Sequence, residues 1–269
     1  MLQTNEEYDL LLNLVKYRMS VRRLKPDPIP DESVDKILEV ARWAMSGANS
    51  QPWEFIVVKD PAVKKALGDA YRQINMRYIF WMEQQRIPDL RHPSFHVPGD
   101  SLEQLDTMLN KPNFDNAPVL IVVLGDGRRQ WGTVMGAHTF GRDQSHLTDG
   151  LANASFLIHL TAASLGLGSQ WLTIHIQEPF KKILGVPDLL TLYLIIPIGY
   201  PSMDRQTGNR RELSEIVHYD HYDMSKYMSD EQILEYLYHL RKKTVPKYAH
   251  SYNLTGGQPP ASGEGGTKE

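Results

Sequence analysis

The sequence predicts an α+β protein in which helices cover a largely buried sheet. Two observations predict it. Amphipathic helical stripes open the chain, at 4–17 and from Asp31 onward, and an apolar small-residue helix fits 149–165. Between and after these lie a continuous apolar run at 118–124, as expected of a strand covered on both faces, and further strands at 168–173 and 191–198. At 269 residues, with 41% hydrophobic and 23% charged, one large domain with additions fits better than two independent domains.

In chain order, residues 4–17 begin with Thr4 and Glu7 at capping-box spacing and place Tyr8, Leu11, Leu12 and Val15 on one face. Asp31 can cap a second helix, whose stripe is Val34, Ile37, Leu38 and Ala41. A β-rich run at 55–59 ends at Asp60-Pro61, a pair suited to an N-cap and first helical position, so a third helix should run into the 70s or beyond. Residues 86–116 are polar and broken by Pro88, Pro93, Pro98 and Pro112. They form a long excursion with at most a short helix at 102–109. A second excursion, 126–147, is rich in Gly, Arg and His.

A helix with Pro179 near its start and Gly185 past its end precedes the last strand. Residues 229–243 read as a terminal helix. The organisation that follows is a core at 1–218, with the two excursions as a lid, an arm at 219–254, and a Gly/Pro/Ser-rich tail at 255–269 expected to be disordered.

Charge and composition exclude several classes. A net charge of -3 leaves no basic footprint for nucleic acid and no polybasic membrane anchor. With no cysteine there are no disulfides, thiolate nucleophiles, thiolate metal sites or iron–sulfur clusters, which fits a reducing cytoplasm. The first residues carry acids and no basic leader, and polar Asn153, Ser155, His159 and Thr161 make 151–167 a buried helix, not a membrane span. His92 and His96 are separated by Pro93, and nothing like a zinc signature frames His138, Asp143 and His146, so no metal is expected. The 125–132 stretch lacks the spacing of a dinucleotide fingerprint and reads as a turn.

Four segments carry the functional signal. Arg18-Met19-Ser20-Val21-Arg22-Arg23 ends the first helix, and three arginines around a hydroxyl can hold a phosphate. Ser46-Gly47-Ala48-Asn49-Ser50-Gln51-Pro52-Trp53 offers small residues and amides to a flat ring with donors and acceptors. Gly166-Leu167-Gly168-Ser169-Gln170-Trp171-Leu172-Thr173 turns a helix into a strand, and Gly199-Tyr200-Pro201 is followed by a second basic pair, Arg210-Arg211. Singly, each segment has an ordinary reading as a helix end or a loop. Their combination is more specific.

In that order the segments resemble the nitroreductase-like FMN-dependent oxidoreductase family, over roughly 8–218. The resemblance implies a central mixed sheet flanked by helices and an intertwined homodimer. It implies that Arg18, Ser20 and Arg22 meet the FMN phosphate and the polar edge of the ring. Ser46, Gly47 and Asn49 would lie along the ring or ribityl chain, Arg210 and Arg211 would close on the phosphate, and the contact to flavin N5 would fall at Leu172 or Thr173. Met45 stands where the family usually has proline, and Glu212 follows the late arginine pair where proline is usual.

The activity this implies is hydride uptake from NADH or NADPH and reduction of a small organic acceptor, such as a nitroaromatic or quinone, in alternating half-reactions at one pocket. Thr173 motivates an alternative, reductive dehalogenation in the deiodinase-like branch, and a non-redox protein that stores or consumes FMN is a third class.

Overall fold

The computed structural model describes residues 5–86, 91, 114–129, 143–204, 208 and 210–240. The short helix expected at 102–109, His92, His96, His138 and the 255–269 tail lie outside the described residues, as do parts of both excursions. The chain divides into two compact units, Met1–Asn75 with Pro112–Asn209, and Met76–Lys111 with Arg210–Glu269.

The first unit holds the sheet. Its helices are α1 (Asn5–Tyr17), α2 (Asp31–Ala41), α3 (Pro61–Ala70), α5 (Asp143–Ser164) and α6 (Glu178–Leu184). Its strands are β1 (Trp53–Val58), β2 (Val119–Asp126), β3 (Gly168–Ser169), β4 (Leu172–Thr173) and β5 (Leu190–Gly199). The second unit contains α4 (Arg77–Gln84), α7 (Leu213–Ile216) and a helix at 230–240.

Local chemistry sets most boundaries. Asp60 caps α3 as its spacing predicts, its carboxylate accepting from Ala62 N at 2.8 Å and Val63 N at 2.9 Å. Gly185 ends α6 with φ 67, a left-handed position that a side chain would strain. Asp31, by contrast, is the first helical residue of α2 and not its cap. Pro30, at φ -59, takes the cap position, and Asp31 contributes its charge to the first turn instead.

The sheet runs β1-β2-β5-β3, with β4 also pairing β5, and every one of these pairings is antiparallel. Among the described residues, the parallel component expected of a mixed sheet enters only as one isolated bridge, Ser20 to Ser169. The strand expected at 168–173 is broken at Gln170 and Trp171 into β3 and β4, both resting on β5. Between β2 and β5 the register steps from Val123↔Leu194 to Leu124↔Leu192, leaving Tyr193 as the extra residue of a bulge.

All eight residues of β2 are buried, as its unbroken apolar run predicts. One face of the sheet packs Val119, Ile121, Val123, Leu194, Ile196 and Ile198 against α2 and α5, whose Ile37, Leu151, Ala154 and Ile158 complete the core. Gly125 permits this approach, because a Cβ there would sit 2.6 Å from Leu151 Cδ1. The core thus fixes α5 across the sheet, and α5 carries both parts of the site below.

Candidate functional site

The basic segment after α1 becomes an edge of the sheet. Ser20 bridges Ser169, Val21 N donates to Ser169 O at 2.8 Å, and Leu24 bridges Pro201. Lys25 N donates to Tyr200 O at 2.8 Å, and Ser202 N donates to Arg23 O at 3.0 Å. Three of the four segments singled out in the sequence are therefore stitched together by backbone hydrogen bonds. Buried Val21 anchors the edge, and the Nε atoms of Arg18 and Arg22 are buried on either side of Ser20. The contact is close because residue 168 is glycine: a Cβ there would lie 2.9 Å from both Val21 and Leu24 side chains.

The second segment is a strained loop. Ala48, Asn49 and Gln51 have φ of 52, 52 and 46, a region that costs an L-residue with a side chain roughly 1–2 kcal/mol. Such conformations persist where surroundings enforce them, and they concentrate at ligand sites. Here Ser46 Oγ accepts from Gln51 N at 3.0 Å, and Asn153 Nδ2 of α5 donates to Met45 O at 3.1 Å. Gly150 of α5 makes room, since a Cβ would stand 3.3 Å from Ser46 and Pro52.

The other end of α5 meets the third segment. His159 Nδ1 lies 2.7 Å from Ser169 Oγ, and its ring stacks on Trp171 with centroids 5.9 Å apart. Its Nε2 is buried with no hydrogen-bond partner. Burial, and then the nearby Arg18 guanidinium, push the imidazole down to about 4, so it is neutral at ordinary pH. Tyr193, at the bulge, meets Trp171 edge-on, and burial followed by the Asp149 charge raises its phenol above the ordinary value. Gly150 and His159 are nine positions apart on α5, which separates the two parts of the site by roughly 14 Å.

Leu172 and Thr173 form β4. Leu172 is buried against β5, opposite Ile195, while the Thr173 side chain is exposed. The Thr173 carbonyl accepts a hydrogen bond from Asn75 Nδ2 at 2.8 Å. Arg210 and Arg211 belong to the second unit, where both are exposed and Arg211 Nη2 donates to Glu215 O at 3.0 Å. Gly127–Arg129 is a 3-10 turn, with Asp126 held by Arg128.

Sequence reasoning missed His159 and Asn75 as site residues. A histidine inside an apolar helix was the only signal for the first. For the second there was none, because its place depends on a π-helical turn, Tyr71–Met76. Among the described residues no three acidic or histidine side chains could hold a metal, and no helix is long and apolar enough to cross a membrane.

Buried guanidinium stems around a hydroxyl suit a terminal phosphate, and a strained loop of small residues and amides suits a flat heterocycle. Together they fit a mononucleotide better than a metal or a nucleic acid. The model of the Nitroreductase family matches residues 15–200. Iodotyrosine deiodinase 1 of Rattus norvegicus is 27% identical over 222 residues, covering 80% of this chain and 70% of that protein. The crystal structure of oxidized iodotyrosine deiodinase bound to FMN and 3-iodo-L-tyrosine superimposes with a TM-score of 0.58 at 26% identity, over 79% of this chain and 100% of the other. An FMN-dependent nitroreductase from Clostridium difficile R20291 shares the fold at 23% identity and a TM-score of 0.54, over 78% and 99%.

Proposed function

The chain belongs to the Nitroreductase family, and on that footing we propose that it is an FMN-dependent oxidoreductase that passes electrons from NADH or NADPH to a small organic acceptor. The observation that carries this reading is the pairing of the Arg18–Arg22 stretch with Ser169, which sets that stretch beside β3 and so supports a phosphate site there. FMN, when bound, supplies the redox chemistry, and the chain supplies position and electrostatics.

In this reading Arg18, Ser20 and Arg22 hold the phosphate and the polar edge of the ring. Arginine charge there favours electron-rich states of the ligand by the logic of an oxyanion site. Ser46, Gly47 and Asn49 lie along the ring or ribityl chain, and Leu172 and Thr173 present the contact at N5. The strained 48–51 loop is pre-formed, so little ordering cost is left for binding.

The active form is a homodimer. Buried residues are absent from α1, and Tyr8 on its apolar stripe is 64% exposed; Phe156 of α5 is 43% exposed. Apolar helix faces of this kind need a partner. In the 219–254 arm, Tyr219, Tyr222 and Tyr227 are exposed and would anchor it on the second subunit. A core at 1–218, an arm and a tail, in the cytoplasm, complete the proposal.

A second reading, reductive removal of halide from a halogenated aromatic, is favoured by the deiodinase relatives and by the exposed Thr173 hydroxyl. Anaerobic turnover of purified protein tests both. Rapid NAD(P)H-driven loss of flavin colour, followed by reoxidation by nitroaromatic or quinone, supports the first reading. Halide release from a halogenated aromatic under dithionite, without nicotinamide-driven bleaching, supports the second. A flavin that no reductant or acceptor alters would leave a storage protein.

A further inference from the structure

We propose that Asn75 is a positioning residue for Thr173, fixing the backbone of the residue that meets the reactive edge of the flavin. The proposal rests on the flavin reading above. β4 is only two residues long, so the sheet ladder gives Thr173 little hold of its own. The added restraint comes from 98 positions earlier in the chain, where Asn75 Nδ2 donates to the Thr173 carbonyl at 2.8 Å. That carbonyl can only accept, so the amide must face it with nitrogen.

Three features set Asn75 apart from an ordinary core amide. It is 0% exposed. Its Oδ1 is buried with no hydrogen-bond partner, an arrangement that costs stability. It also sits in the π-helical turn Tyr71–Met76, a rare wide turn that is frequent at functional sites. The turn is pinned beside it, because Arg72 is bonded to Asp69 at 2.6 Å and to Asp115 at 3.1 Å. A side chain kept at a stability cost, on an anchored irregular turn, is placed for what it holds. With the carbonyl of Thr173 engaged, the exposed hydroxyl is the side-chain group it offers to a ligand.

Two measurements on full-length Asn75→Leu and Asn75→Asp test this. In apoprotein, amide exchange across 172–174 should speed up by roughly five- to tenfold, the factor carried by one net hydrogen bond. In FMN-loaded protein, the gap between the two one-electron potentials of the flavin should change in both variants, and a merely structural amide would not move it. Unchanged exchange, or changed exchange with wild-type potentials, overturns the proposal. If Asn75→Leu does not fold, Asn75→Asp decides by the same two readouts. Wild-type protein that takes up no FMN removes the flavin reading, and the link to the flavin falls with it; the exchange result stands apart from that outcome.

Discussion

The imidazole of His159 lies 2.7 Å from the hydroxyl of Ser169, the residue whose carbonyl receives Val21 N from the arginine segment. Burial and then the Arg18 charge lower this imidazole from 6.5 to about 4. The folded protein therefore takes up this proton less readily than the unfolded chain, and stability falls as pH falls from 6.5 towards 4. The full effect is about 3 kcal/mol. His159→Gln should remove that loss, which urea midpoints between pH 7 and pH 4 would reveal. Wild-type and variant profiles that stay parallel would refute it.

Gly168 lets the arginine segment approach β3 closely. Gly168→Ala places a methyl 2.9 Å from Val21 and Leu24, so the segment must give way. Overpacking of this kind costs about 1–3 kcal/mol. FMN affinity should fall with it, because Arg18 and Ser20 move too. Fluorescence titration of the variant would show this, and unchanged affinity would disconnect the edge from the ligand.

The strained loop predicts a gain. Ala48 holds φ 52 with a methyl group, and glycine tolerates that region without the penalty. Ala48→Gly should raise the stability of the apoprotein by up to ~1 kcal/mol. A loss of stability would mean that the methyl packs usefully in the loop.

Helix ends and buried strands were legible because their causes are local. Asp60-Pro61 and Gly185 act through their own backbone, and the apolar run of β2 needs only burial. What was not legible depends on distant partners. The break at Gln170 and Trp171, the bulge at Tyr193 and the antiparallel pairing are set by β5. Asn75 and His159 acquire their roles only when Thr173 and Ser169 arrive beside them. The four site segments were legible as a set, but only folding shows that three of them share one sheet edge. Asp31 was misplaced by one residue because the fixed φ of Pro30 claims the cap.

The exposed stripe of α1 and Phe156 of α5 predict self-association. Light scattering after size exclusion should give twice 30.7 kDa at dilute concentration. Tyr8→Lys with Leu11→Lys should shift that mass toward the monomer and weaken FMN binding. A monomer saturated with FMN would contradict a shared site.

The most direct test of the central claim is the cofactor itself. Protein purified under native conditions, or reconstituted with flavin and desalted, should be yellow and release FMN, and not FAD, on denaturation. Arg18→Ala and Arg22→Ala should each weaken that binding by roughly 1.5–3 kcal/mol, the worth of a charge-assisted hydrogen bond. Protein that stays colourless after incubation with FMN would contradict the account.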